Sequence, residues 1–270
     1  MSKIKSISSE LTERLNWLVC LGDLFTSYKK NKNDQFYTTI KKAEIHNPWF
    51  SEKNINTSIS YWQNKLKLKN INAWISKYNI IETPPLQVGI VMAGNFPFAG
   101  LHDLLCVIIS GNIALVKPSK SDKILIDYLI DYLWKKFPKS KHYILKTEIL
   151  KEFDKVIATG SNNTFRYFEY YFKKKPNILR KSRTSVAILE NDTDKDSLRL
   201  LSKDIFTYFG LGCRNVSKLF IPIGYDIKKV INGFDEFEKI KLHHKYLNNL
   251  NYYKTIKILN NEKFIDGRFF

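Results

Sequence analysis

Apolar residues recur at helical spacing from residue 11 to 25, with Ser8 or Ser9 where an N-cap belongs, so a helix is predicted there. The same period returns over residues 59–80, where Trp62, Leu66, Ile71 and Trp74 share a broad apolar face and predict a second helix. Between the two, residues 29–34 read as a charged loop and Asn47-Pro48-Trp49 punctuates the entry to the second region. Glu82-Thr83-Pro84-Pro85 ends this rhythm, because two prolines fit neither a helix interior nor a central strand.

Beyond that break the pattern alternates. Strand-length apolar runs are predicted at 86–93, 113–116, 156–158, 185–189 and 216–221. Helices are predicted at 98–110, from a cap at Ser121 or Asp122 to residue 137, from a cap at Asn162 or Asn163 through 171, at 194–209, and over much of the chain from 225 onward. Strands alternating with helices imply an α/β fold with a largely parallel sheet covered on both faces. The chain is expected to fall into an N-terminal helical region (1–81), a middle α/β domain (82–184) and a second α/β domain (185–270).

Composition narrows the class. With 44% hydrophobic and 14% aromatic residues the chain is globular, and its 270 residues suit one or two domains. No apolar run approaches the ~20 residues of a membrane span, and residues 1–13 lack the apolar stretch of a secretory signal. Cys20, Cys106 and Cys213 are too widely spaced for a zinc site or a disulfide framework, so no metal and a reducing cytoplasm are expected. The net charge is +18, yet of 44 basic residues only seven are arginine, leaving 37 lysines. Scattered lysine with abundant Ile, Asn, Tyr and Phe is what an AT-rich coding sequence produces. Base-reading proteins lean on arginine forks, so no nucleic-acid partner is expected. A phosphate-rich small molecule suits the charge better.

Three predicted strand ends carry residues suited to a phosphate-bearing ligand, since helix N-termini in such sheets offer free N–H groups there. They are Gly94-Asn95-Phe96-Pro97, Lys117-Pro118-Ser119 and Thr159-Gly160-Ser161. Neither G-x-G-x-x-G nor a Walker sequence is present. By residue type alone, Cys20 and Cys106 read as small buried hydrophobes and His102 as a satisfied core histidine. Gly210 and Gly212 open the backbone beside Cys213 and set it apart.

The order of these segments (Asn95-Phe96-Pro97, then residues 111–119 ending Lys117-Pro118-Ser119, then Thr159-Gly160-Ser161, then Gly210-Leu211-Gly212-Cys213) resembles the aldehyde dehydrogenase superfamily. The wording is closest to the bacterial acyl-CoA reductases, the group that includes the fatty-acid reductase of luminescent bacteria. Phe96-Pro97 through His102-Asp103, residues 177–186 and 206–210, and His243-His244-Lys245-Tyr246 carry that closer likeness. The resemblance implies a Rossmann-type cofactor domain and a catalytic domain, with NADP(H) as cofactor and acyl-CoA as substrate. It makes Cys213 the nucleophile and Asn95 the oxyanion donor. It puts Lys117 and Ser119 near the cofactor's adenosine ribose, and Gly160 and Ser161 at the helix start that meets the pyrophosphate. Arg180, Arg183 and His244 are candidates for substrate contact.

Two departures from the superfamily's pattern matter. Aldehyde dehydrogenases carry a glutamate that activates the hydrolytic water, whereas the matching stretch here is Leu179-Arg180-Lys181-Ser182-Arg183, without a carboxylate. That favours reduction of a thioester over aldehyde oxidation. Members of the superfamily also continue well past the position matching Phe270. A shortened catalytic domain is therefore expected, with impaired activity, with subunit association dependent on residues beyond this point, and with little for Phe269 and Phe270 to pack on. The other readings are oxidation of a small aldehyde, or a non-catalytic remnant that binds a nucleotide or a partner.

Overall fold

The computed structural model describes residues 8–28 and 34–270, which divide into two compact units, Met1–Ser182 and Arg183–Phe270. The expected loop at 29–33 and most of the N-terminal stretch read for a signal lie outside the described residues. No helix among the described residues is long and apolar enough to cross a membrane.

The first unit begins with four helices: α1 (Ser9–Tyr28), α2 (Gln35–His46), α3 (Glu52–Lys65) and α4 (Leu68–Ile75). Ser8 caps α1 by accepting the Leu11 N–H. Helix α2 was not anticipated from the sequence; Asp34, taken for the end of a loop, is its N-cap and accepts from the Phe36 N–H. The single helix predicted over 59–80 is in fact α3 and α4, broken at Leu66-Lys67. The break turns Leu66 into the core, where its carbonyl meets Gly22 of α1 so closely that a Cβ on Gly22 would lie 2.9 Å from it. Buried Arg14 of α1 donates to Glu82 at 2.7 Å and ties the helices to the segment that leads into the sheet.

Five strands follow, β1 (Gln87–Val91), β2 (Ile113–Lys117), β3 (Ile144–Lys146), β4 (Lys155–Thr159) and β5 (Asn177–Arg180). All pair in parallel, in the order β3-β2-β1-β4-β5. Strands β3 and β5 were not predicted; both are short and half exposed, so they lack the long apolar run of a central strand. Val88, Ile90, Ala114 and Val116 join the main core, which also holds α1, α5 (Leu101–Ile109) and α6 (Lys123–Lys136). On the other face, α7 (Asn162–Phe172) packs Phe168 on Val156 and Ala158. The connection from β3 to β4 spans only residues 147–154 and contains no helix, although a crossover between parallel strands usually carries one. That face is therefore covered on the β4 side and only partly covered over β2.

The second unit holds a two-stranded parallel sheet, β6 (Ser185–Ile188) with β7 (Val216–Phe220), and helices α8 (Lys195–Phe206), α9 (Ile227–Gly233) and α10 (His244–Leu259). The expectation that the terminal phenylalanines have little to pack on is wrong. Phe269 is fully buried, and the rings of Phe269 and Phe270 lie 5.4 and 5.5 Å from Phe206. With Phe234, itself 5.4 Å from Phe270, they form an aromatic cluster at the heart of this unit. Because Phe206 touches every ring in it, Phe206→Ala is expected to destabilise the unit by about 3–4 kcal/mol, measured as loss of free energy in urea unfolding followed by near-UV circular dichroism.

Candidate functional site

Parallel pairing sets where the polar segments emerge. Val91 pairs with Lys117 and with Ala158, so β1, β2 and β4 end side by side at one edge of the sheet. Asn95, Lys117, Ser119, Gly160 and Ser161 are all delivered to that edge. The Met92 N–H donates to the Lys117 carbonyl at 3.1 Å and extends the pairing past the last ladder residue.

The loops after β1 and β2 interlock. A Cβ on Gly94 would lie 2.3 Å from the Ser119 hydroxyl, so only glycine allows this approach. Asn95 is exposed, while Pro97 and Phe98 are buried. Phe98 has φ 60°, a left-handed conformation rare outside glycine, and its ring packs 5.6 Å from Phe25 of α1. Its N–H donates to Asp122 Oδ2 at 2.8 Å. Asp122 was read as an N-cap of the next helix, as was Ser121. It occupies the cap position of α6 but makes no side-chain cap bond, because its carboxylate is turned toward Phe98. Burial pushes this carboxyl well above the usual range, against the opposing pull of the Phe98 and Ala99 N–H groups.

At the end of β4 the cap of α7 is Ser161, not Asn162 or Asn163: its hydroxyl accepts the Thr164 N–H at 3.2 Å. Gly160 lies close under α7, where a Cβ would come within 2.9 Å of the Phe168 ring. Beside Lys117 the open face forms a cleft of ≈ 890 Å³, lined by Val91, Lys117, Leu150, Tyr167, Phe168 and Tyr171 among others. A lysine and a hydroxyl at one strand end, a helix N-terminus at the next and a cleft with aromatic walls suit a dinucleotide.

Arg180 closes the β5 end. Its Nη1 donates to both carboxylate oxygens of Asp103 at 2.8 and 2.7 Å, so its charge is balanced within the protein. Burial alone would raise the Asp103 carboxyl, but hydrogen bonds from His102 and Arg180 outweigh it and hold it below its ordinary range. His102 is not a core histidine: its side chain is 61% exposed, and hydrogen bonding to Asp103 and then Cys106 raises it to about 9. Cys106 lies 3.6 Å from that ring, and Cys20 3.7 Å from the Tyr132 hydroxyl; both are half-buried rather than buried.

In the second unit Cys213 is exposed, on a turn after α8. Tyr208, Phe209 and Gly210 all have positive φ, a run of left-handed backbone leading to the cysteine. Asn215 clamps this turn. Its side chain accepts the Gly212 N–H at 2.7 Å and donates to the Asp204 carbonyl at 2.8 Å. The Cys213 carbonyl accepts from Ser185. His244 and Arg183 are exposed; it is His243 that caps α10 and lies against the Phe209 ring at 4.3 Å. Asp103 and Asn215 were given no role from the sequence, and Asp122 only that of a helix cap. Asn215, two residues past the cysteine, had a legible turn signal; nothing in the sequence pairs Asp103 with Arg180 or Asp122 with Phe98. No group of three or more metal-ligating side chains occurs among the described residues.

Residues 76–228, more than half of the chain, match the acyl-CoA reductase (LuxC) family. The chain belongs to that family. No curated protein matches it. Solved structures with a similar fold include an NAD-dependent aldehyde dehydrogenase from Sinorhizobium meliloti (TM-score 0.64, 17% identity, 86% of this chain and 49% of that one). An aldehyde dehydrogenase from Mycobacterium tuberculosis in complex with NAD+ gives a TM-score of 0.63 at 16% identity, over 86% of this chain and 51% of that one. Proline utilization A from Corynebacterium freiburgense gives 0.62 at 16%, over 85% and 25%. This LuxC-family chain thus has an aldehyde dehydrogenase-like fold and spans about half the length, or less, of these structures.

Two outcomes follow from the buried carboxylates. Arg180→Ala leaves Asp103 with His102 as its one charged partner among the described residues and is expected to cost about 2 kcal/mol in urea unfolding, most of it recovered when Asp103→Asn is added. For Asp122 the folded state holds the proton more tightly than the unfolded state. Its contribution is therefore most favourable below the unfolded value near 3.8 and is lost as pH rises toward the raised folded value. The Tm of Asp122→Asn, which cannot ionise, should gain on wild type as pH is raised from about 4 to 7.

Proposed function

We propose that this chain carries out NADP(H)-dependent reduction of an acyl-CoA thioester to an aldehyde through an acyl-enzyme at Cys213. The observation that carries this reading is the delivery of Asn95, Lys117-Ser119 and Gly160-Ser161 to one edge of a parallel sheet in a LuxC-family chain. The absence of a carboxylate from residues 179–183 supports reduction over hydrolysis.

In this reading residues 82–184 bind the cofactor and 185–270 carry the nucleophile. Lys117 and Ser119 hold the adenosine ribose, the N-terminus of α7 at Gly160-Ser161 meets the pyrophosphate, and the cleft beside Lys117 takes the adenine. The Cys213 thiolate attacks the acyl carbonyl, the bond to the coenzyme A sulfur breaks, and coenzyme A leaves as the thiol after taking a proton. The Cys213 backbone N–H donates to the oxygen as negative charge develops on it, and the family resemblance proposes Asn95 as an oxyanion donor; such a donor is worth about 3 kcal/mol in the barrier. When bound, NADPH supplies the hydride that reduces the acyl thioester. Arg183 and His244 are exposed and free to meet the substrate's phosphates, whereas Arg180 is committed to Asp103.

The test is incubation of the purified protein with NADPH and a long-chain acyl-CoA. Acyl adduct mapped to Cys213 by mass spectrometry, absent from Cys213→Ser, is the expected result, together with NADPH oxidation. Absence of both adduct and oxidation would sink the activity. Carboxylate formation from a small aldehyde and NAD+ would instead identify an aldehyde dehydrogenase.

A further inference from the structure

The Asn95 turn is held at both ends by the loop that follows β2. At one end Gly94 lies against Ser119, so close that the position admits no side chain. At the other, the Phe98 N–H donates to Asp122 Oδ2 at 2.8 Å, while the Ala99 N–H closes the turn on the Phe96 carbonyl at 3.2 Å. Asn95, Phe96 and Pro97 bridge the two anchors. Asp122 is 1% exposed and belongs to the loop that begins at Lys117. Its carboxylate sits at a helix N-terminus yet leaves that helix uncapped, which is the usual task of an aspartate there. Phe98 keeps a left-handed backbone, which persists in a non-glycine residue only where the surroundings over-determine it.

We infer that Asp122 is a positioning residue for the oxyanion donor: it locks the Asn95 turn to the Lys117–Ser119 loop, so that one rigid piece carries both the ribose contacts and the Asn95 side chain. The inference rests on the proposed roles of Asn95 and Lys117. It differs from a purely structural role in what it moves. A displaced Asn95 weakens stabilisation of the transition state while leaving ground-state binding in place, so the maximal rate should fall without a matching loss of affinity.

The experiment compares wild type, Asp122→Ala and Asp122→Asn. Asparagine keeps an acceptor for the Phe98 N–H; alanine removes it. In D122A the maximal rate of Cys213 acylation by acyl-CoA should fall about 100-fold, as expected for a donor misplaced by an ångström or so. The half-saturating acyl-CoA concentration and the affinity for NADPH should each change less than about threefold. D122N should restore the rate. Acylation of D122A at the wild-type rate, or equal loss of rate and affinity in both variants, would overturn the inference.

If D122A does not fold, Asp122→Ser, whose shorter side chain draws the acceptor back from Phe98, takes its place in the same comparison. If wild type itself is not acylated, the roles proposed for Cys213 and Asn95 fail, and the lock is judged by hydrogen exchange alone. The Phe98 amide should then be protected in wild type and D122N and exchange freely in D122A. Equal protection in all three would remove the lock as well.

Discussion

Parallel pairing of β1 with both β2 and β4 is the constraint on which the rest of the first unit depends. Parallel strands all end at the same edge, so three loops far apart in the chain are forced together wherever the three strands are adjacent. The backbone ladder does this whatever the loops contain. Because β1 lies between the other two, its loop is flanked on both sides, and residues 94–98 cannot move without disturbing a neighbour.

The helices on the main core face reinforce that arrangement. Phe98, at the far anchor of the turn, packs its ring on Phe25 of α1, which lies in turn against Phe36 of α2 at 5.9 Å. Arg14 of the same helix reaches Glu82 and holds the approach to β1. The N-terminal helices therefore share one core with the sheet and buttress the turn that carries Asn95. The opposite face is treated differently. With no helix between β3 and β4, β2 is only partly covered there, and the cleft beside Lys117 adjoins that short connection.

Charge is used sparingly within this frame despite the basic composition. Two carboxylates are buried near the sheet edge, and each is given a specific duty. Asp103 neutralises Arg180 and orients His102. Asp122 accepts the Phe98 N–H at the end of the Asn95 turn. In the second unit the equivalent work around Cys213 falls to a neutral side chain, Asn215, which can accept from Gly212 and donate to Asp204 at once.

Much of this was legible in the residues. Helical and strand periods located α1, α5, α6, β1, β2 and β4, because each buries apolar residues that its period must reveal, and short apolar runs located the half-exposed β6 and β7. The motif order carried the family, since those segments are contiguous, and it made Asn95, Lys117, Gly160, Ser161 and Cys213 the site candidates on which the proposed function rests. Contacts between distant segments were not legible. The split of 59–80 depends on Gly22, some forty residues earlier in the chain; the buried ends Phe269 and Phe270 depend on Phe206; and β3 and β5 exist only because a neighbour offers an edge to pair with. Asp122 is the clearest case. Its sequence neighbourhood reads as a helix cap, and only the approach of Phe98 across the sheet edge gives its carboxylate a better partner than the helix beside it.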